Sequence, residues 1–168
     1  LDVALKTSEG GDIPYNTQSL NVVTYKFTAD EDVTLNSLKL KMGSYSDAGT
    51  LSGVALFLNW GRISNIKSSG LTSSDWFDVS ITNGYTIKAG ETINLSVMVN
   101  VGDMTGAAND KFNLKLLSVA STAKDTNYAA NLTSATFSVL SKSNDTVTLT
   151  RGDVDSPKVA SDQLIAEF

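Results

Sequence analysis

The chain is 168 residues long, carries a formal net charge of −5 and contains neither cysteine nor histidine, which excludes thiolate nucleophiles, imidazole general bases and zinc sites built on Cys or His. Its 13 Lys and Arg are scattered among 18 Asp and Glu, so no basic stripe exists to neutralise nucleic-acid phosphates or to hold an anionic membrane. With 41% hydrophobic and only 18% charged residues, the chain can bury a core of single-domain size, and its surface of Ser, Thr and Asn points to an extracellular all-β protein.

Alternation of apolar and polar residues dominates the pattern. The first segment, Asp2, Val3, Ala4, Leu5 and Lys6, alternates and reads as a strand without an obvious partner inside its own module. Residues 7–18 are short, polar and carry Pro14, and so read as a semi-rigid linker. Residues 22–27 open the next strand. Val33 and Leu35 then share one parity while Leu38, Leu40 and Met42 share the other. The chain either takes up an extra residue at Asn36-Ser37 as a β-bulge or breaks there into two strands. Residues 43–53, with Gly43, Gly49 and Gly53, read as a flexible loop.

Val54, Leu56, Leu58 and Trp60 share a face, so Trp60 is expected in the core. Trp76 has the opposite parity from Phe77, Val79 and Ile81 and is expected to face outward beside Asp75 and Asp78. Asn83-Gly84 and Ala89-Gly90 are turn signals. They precede the cleanest strand, in which Ile93, Leu95, Val97, Val99 and Val101 point one way and Asn94, Ser96 and Asn100 the other. Phe112, Leu114 and Leu116, then Phe137 and Val139, then Val147 and Leu149 repeat the logic. Residues 120–130 show no period and are the expected place for a short helix or a long connection. Many short strands between turn signals make an antiparallel β-sandwich the expected architecture.

The tail resembles the head. Val3-Ala4-Leu5, Asp12-Ile13-Pro14 and residues 22–27 have counterparts in Val147-Thr148-Leu149, Asp155-Ser156-Pro157 and residues 164–168, spaced roughly 141 to 144 residues apart. That spacing divides the chain into a leading strand and linker (1–18), a sandwich domain (19–150), and a linker with the first strand of a following module (151–168). These residues show no basic-then-apolar leader pattern and no apolar run long enough to span a bilayer, so any signal peptide or anchor is expected to lie outside them. The chain is therefore expected to be a processed or excised segment that does not itself insert into a membrane.

Residues 22–40 and 86–101, the latter holding the turn Ile87-Lys88-Ala89-Gly90-Glu91-Thr92 ahead of the long strand, resemble the immunoglobulin-like tandem repeats of large bacterial and archaeal cell-surface proteins, S-layer-like ones included. The resemblance covers about a fifth of the chain. It implies an immunoglobulin-like β-sandwich and a structural role in a fibre or lattice.

Several residue groups invite chemistry. Asp30-Glu31-Asp32 in a turn, with Asp153 and Asp155 near the tail, offer the hard oxygen ligands that Ca²⁺ takes, against the simpler reading of a solvated acidic turn; no other cofactor is expected. Trp76, with Tyr45 and Tyr85 as companions, could stack a sugar ring or pack on a neighbouring domain. Asn94, Asn131 and Asn144 head N-glycosylation sequons. Arg151-Gly152-Asp153 spells the integrin-binding tripeptide, a match short enough for chance. No nucleophile elbow or phosphate-cradling loop appears, and no enzymatic activity is expected.

The expected function is a structural module of an extracellular filament, stalk or S-layer-like surface protein. Its partners are copies of itself or adjacent modules, joined end to end by strand addition through Asp2, Val3, Ala4, Leu5 and Lys6 or through Leu164, Ile165, Ala166, Glu167 and Phe168. Two alternatives stand beside it. One is a pilin-like subunit that polymerises by donor-strand exchange of residues 1–6. The other is a carbohydrate-binding or adhesive module that uses Trp76.

Overall fold

Ile93, Leu95, Val97, Val99 and Val101 all turn inward and are buried, and the strand that carries them is central to the molecule. In the computed structural model, which describes residues 1–43, 50–72, 75–102 and 110–140, that strand is flanked on both sides. Among the described residues twelve strands run in chain order. They are β1 (Asp2–Thr7), β2 (Gly11–Pro14), β3 (Leu20–Thr28), β4 (Val33–Met42), β5 (Leu51–Leu58), β6 (Gly61–Arg62), β7 (Trp76–Ile87), β8 (Thr92–Val101), β9 (Asp110–Phe112), β10 (Leu114–Ser121), β11 (Asn127–Tyr128) and β12 (Phe137–Leu140). No helix occurs among the described residues.

The strands form a six-stranded sheet in the order β11-β1-β3-β8-β5-β6, a three-stranded sheet β10-β4-β7, and a small third sheet β2-β12-β9. Their apolar faces merge into one core, in which Tyr25, Phe27, Leu56 and Leu95 of the large sheet join Leu35, Leu38, Leu40 and Leu114 of the second. This is the all-β sandwich that the alternation predicts. The third sheet adds Ile13, Phe112, Phe137 and Val139 to that core, with the Phe112 and Phe137 rings stacked at 5.4 Å between centroids. Burial pushes the Tyr25 hydroxyl well above the ordinary tyrosine range, and it donates a hydrogen bond to the Leu132 carbonyl at 2.9 Å. A polar atom in the core is thereby satisfied.

The parity break in β4 is a bulge within one continuous strand. Leu35 pairs with Tyr85 and Ser37 with Ser80, leaving Asn36 outside the ladder, and Val33, Leu35, Leu38, Leu40 and Met42 are all buried. Opposite it, residues 81–84 of β7 swing out of the same ladder. Asn83-Gly84 is thus an excursion within a strand and not a connection between strands. The excursion carries Thr82 and Ile81 to the segment after β6, where Thr82 N–H donates to Ile63 O at 2.8 Å and Ile81 bridges Ser64. It stitches the second sheet to the edge of the first.

Four more expectations need correction, besides the loop expected at 43–53, whose last three residues open β5. The leading segment Asp2, Val3, Ala4, Leu5 and Lys6 does have partners in its own module: β1 lies between β3, antiparallel, and β11, parallel. Leu1 and Val3 are buried, so moving this strand out would expose apolar surface and leave two rows of backbone groups unpaired. Residues 7–18 are not a free linker, because β2 pairs in parallel with β12 from Gly11↔Phe137 to Pro14↔Leu140. The stretch at 120–130 holds neither a helix nor a long loop: it ends β10 and supplies β11. Trp60 is not in the core but 87% exposed, since the strand stops at Leu58, and Asn59 and Trp60 form a left-handed two-residue turn closed by the Leu58↔Gly61 pair.

Candidate functional site

The strands expected to mediate assembly have different standings. Both backbone edges of β1 are engaged, and its N-terminal end is fastened further. The Leu1 ammonium donates to Asp125 O at 3.1 Å, Asn127 N–H donates to Leu1 O at 2.9 Å, and the Asn127 amide reaches the Asp2 carboxylate at 3.0 Å. Leu164, Ile165, Ala166, Glu167 and Phe168 lie outside the described residues, as do Asp153, Asp155, Asn144 and Tyr45.

The acidic turn between β3 and β4 is committed to holding two turns together. Asp32 accepts from the Lys88 ammonium at 2.8 Å on one oxygen and from Ala89 N–H at 2.9 Å on the other. The hydrogen bond from Lys88, and then that from Ala89, hold its carboxyl below the usual carboxylate range. Glu31 accepts instead from Lys124 N–H at 3.4 Å. Ala29 and Gly90 complete the clasp, with Gly90 N–H donating to Ala29 O at 2.7 Å. Among the described residues no group of three acidic side chains is placed to hold a metal ion. Asp30, Glu31 and Asp32 therefore do not form a calcium cage by themselves.

Trp76 faces outward at 49% exposure, as its parity predicts. One face of its indole, however, carries the Lys39 ammonium at 3.7 Å from the ring centroid, a contact of about 0.5–1 kcal/mol at an exposed site. Lys41 is its cross-strand neighbour, and Lys39 pairs with Asp78. Tyr85 does not join this surface. It pairs with Leu35, six positions along β4 from the Lys41↔Trp76 pair, or about 20 Å at strand rise.

Of the sequons, Asn131 is exposed and its side-chain oxygen accepts from Thr133 N–H at 3.0 Å. Asn94 lies on the outer face of β8 as expected, yet its side-chain oxygen is buried and, among the described residues, without a hydrogen-bond donor.

Sequence reasoning missed Trp60. Period-two counting runs through Asn59 as though the strand continued, although Asn59 and Gly61 on either side are turn residues. That punctuation was the available signal.

No protein-family model and no curated protein matches the chain. Among solved structures, the apo form of the Calx CBD1 domain is similar at a TM-score of 0.46 and 10% identity, over 84% of this chain and 96% of that one. Self-complemented MyfA, the major subunit of Myf fimbriae from Yersinia enterocolitica, is similar at a TM-score of 0.28 and 10% identity, over 83% and 97%, in a complex with galactose. Similarities this distant carry no functional reading.

Proposed function

We infer that the chain is a non-catalytic structural module of a surface fibre, stalk or lattice, joined in series to further copies. One observation supports this above others. The three head segments that the tail repeats coincide with three consecutive strands, β1, β2 and β3, and each pairs with a strand from later in the chain: β1 with β11, β2 with β12, β3 with β8. Those positions are already filled by the head. Tail segments of the same pattern would need the equivalents of β8, β11 and β12 from another copy. In this reading residues 164–168 become an inner strand of the next module, since β3 lies between β1 and β8.

A second reading rests on the same coincidence: the tail of one copy displaces the head of another, giving a strand-exchanged polymer. The parent open reading frame separates the two. Beyond Phe168 it should repeat the pattern of β4 to β12 at roughly the same period. A frame that ends at Phe168 overturns the tandem reading and favours exchange. Deleting residues 163–168 should leave a soluble monomer by light scattering; polymers that persist count against any role for the tail.

A further inference from the structure

We propose that the outer face of the six-stranded sheet beside the β5–β6 turn binds a neutral sugar ring of an extended glycan. A groove of about 340 Å³ lies there, at the lower end of the range of small-molecule sites. Its walls include Phe57 and Trp60 as apolar surfaces and Thr24, Ser96, Asn94 and Lys6 as polar ones.

Trp60 is the first reason for reading this as a site. Both turn residues have positive φ, 48° at Asn59 and 68° at Trp60. Such a turn favours Asn-Gly, because a residue with a Cβ is disfavoured in the left-handed region and a bulky one is an outlier. Here the position nearest to demanding glycine holds a large aromatic that is 87% exposed. Backbone strain of this kind, at a side chain the core does not use, is characteristic of ligand-contacting residues.

The chemistry of the floor is the second reason. The Thr24 and Ser96 hydroxyls hydrogen-bond to each other at 2.9 Å, and the Asn21 amide donates to Thr24 Oγ1 at 3.4 Å. Asn94 also borders the groove, but its side-chain oxygen is buried and, among the described residues, without a donor. Uncharged amides and hydroxyls beneath an aromatic suit a pyranose, whose C–H face stacks on the indole while its hydroxyls exchange hydrogen bonds with the floor. Among the described residues no carboxylate lines the groove, and Lys6 supplies its one charge. A neutral glycan fits that lining better than a cationic partner, which would find no counter-charge.

The test uses the full chain carrying Trp76→Thr, so that Trp60 is the sole indole and the rival aromatic surface is removed. Affinity electrophoresis against mannan, galactan, xyloglucan and β-1,3-glucan is read together with tryptophan emission. Retardation by at least one polysaccharide with a blue shift of Trp60 is the expected result, and adding Trp60→Gly should weaken that binding about tenfold or more without lowering Tm. Three results overturn the proposal: no retardation by any of the four, equal retardation of the Trp60→Gly chain, or a blue shift that follows protein concentration without sugar. The last would mean that a second copy covers the face.

Discussion

Asn59-Trp60 and Asn83-Gly84 bend the backbone in the same way, with φ of 48° and 68° in one and 61° and 68° in the other, yet the two pairs answer to different demands. At Gly84 conformation and space agree, because a Cβ there would meet Thr34 Cγ2 at 2.8 Å and Asn36 Oδ1 at 3.3 Å. That excursion belongs to the fold, and glycine is what the fold needs. At Trp60 the side chain stands in water, so nothing in the packing selects tryptophan and the local backbone disfavours it. What is inexpensive at one site is costly at the other. The difference separates a residue kept for stability from one kept for contact.

Mutations can break or sharpen this contrast. The largest effect is expected from deleting Asn36, the residue facing the Asn83-Gly84 excursion. Closing the bulge would turn either Val33 and Leu35 or Leu38, Leu40 and Met42 toward solvent, and circular dichroism should report a chain that no longer unfolds cooperatively. Gly84→Val should cost about 3 kcal/mol, from left-handed strain together with the Thr34 contact, read as a lowered denaturant midpoint with an unchanged slope. Trp60→Gly should act in the opposite sense and stabilise by about 0.5–1 kcal/mol, since relief of strain outweighs the added freedom of the unfolded chain. A loss of stability there would erase the distinction between the two turns.

The smallest effect belongs to a third turn, Lys88 to Glu91, where Gly90 also has positive φ. It is clasped by Asp32, whose folded carboxyl is held low chiefly by the Lys88 hydrogen bond. That contribution is present above the unfolded carboxylate pKa and is lost as pH falls through the lower folded value. Lys88 is held high by Asp32, so its share is complete below the unfolded lysine pKa and fades as pH rises through the folded one. Both groups are exposed and screened by solvent. Asp32→Asn should therefore lower Tm slightly at neutral pH, and the difference should shrink in acid and in high salt.

Much of the sandwich was legible because half-buried strands state their faces in the sequence. The β8 alternation, the parity break at Asn36 and the outward Trp76 all follow from side chains choosing core or water. What was not legible depends on chain ends meeting. The placement of β1 beside β11 rests on two residues, Asn127 and Tyr128, within a stretch that has no period. The pairing of β2 with β12 joins residues 11–14 to 137–140, and no local pattern encodes a partner so far away. Trp60 was missed for a different reason. A two-residue turn has the same length as one strand repeat, so parity alone cannot register that the chain has reversed.

The parallel pairing of β2 with β12 has a mechanical consequence. The strands run side by side in the same direction, from Gly11↔Phe137 to Pro14↔Leu140. Tension applied to the chain before β2 and after β12 therefore slides one along the other. Their hydrogen bonds, evenly spaced as in any parallel pair, would be strained together in shear and would not open one at a time from an end. A module pulled in that direction resists through its whole seam.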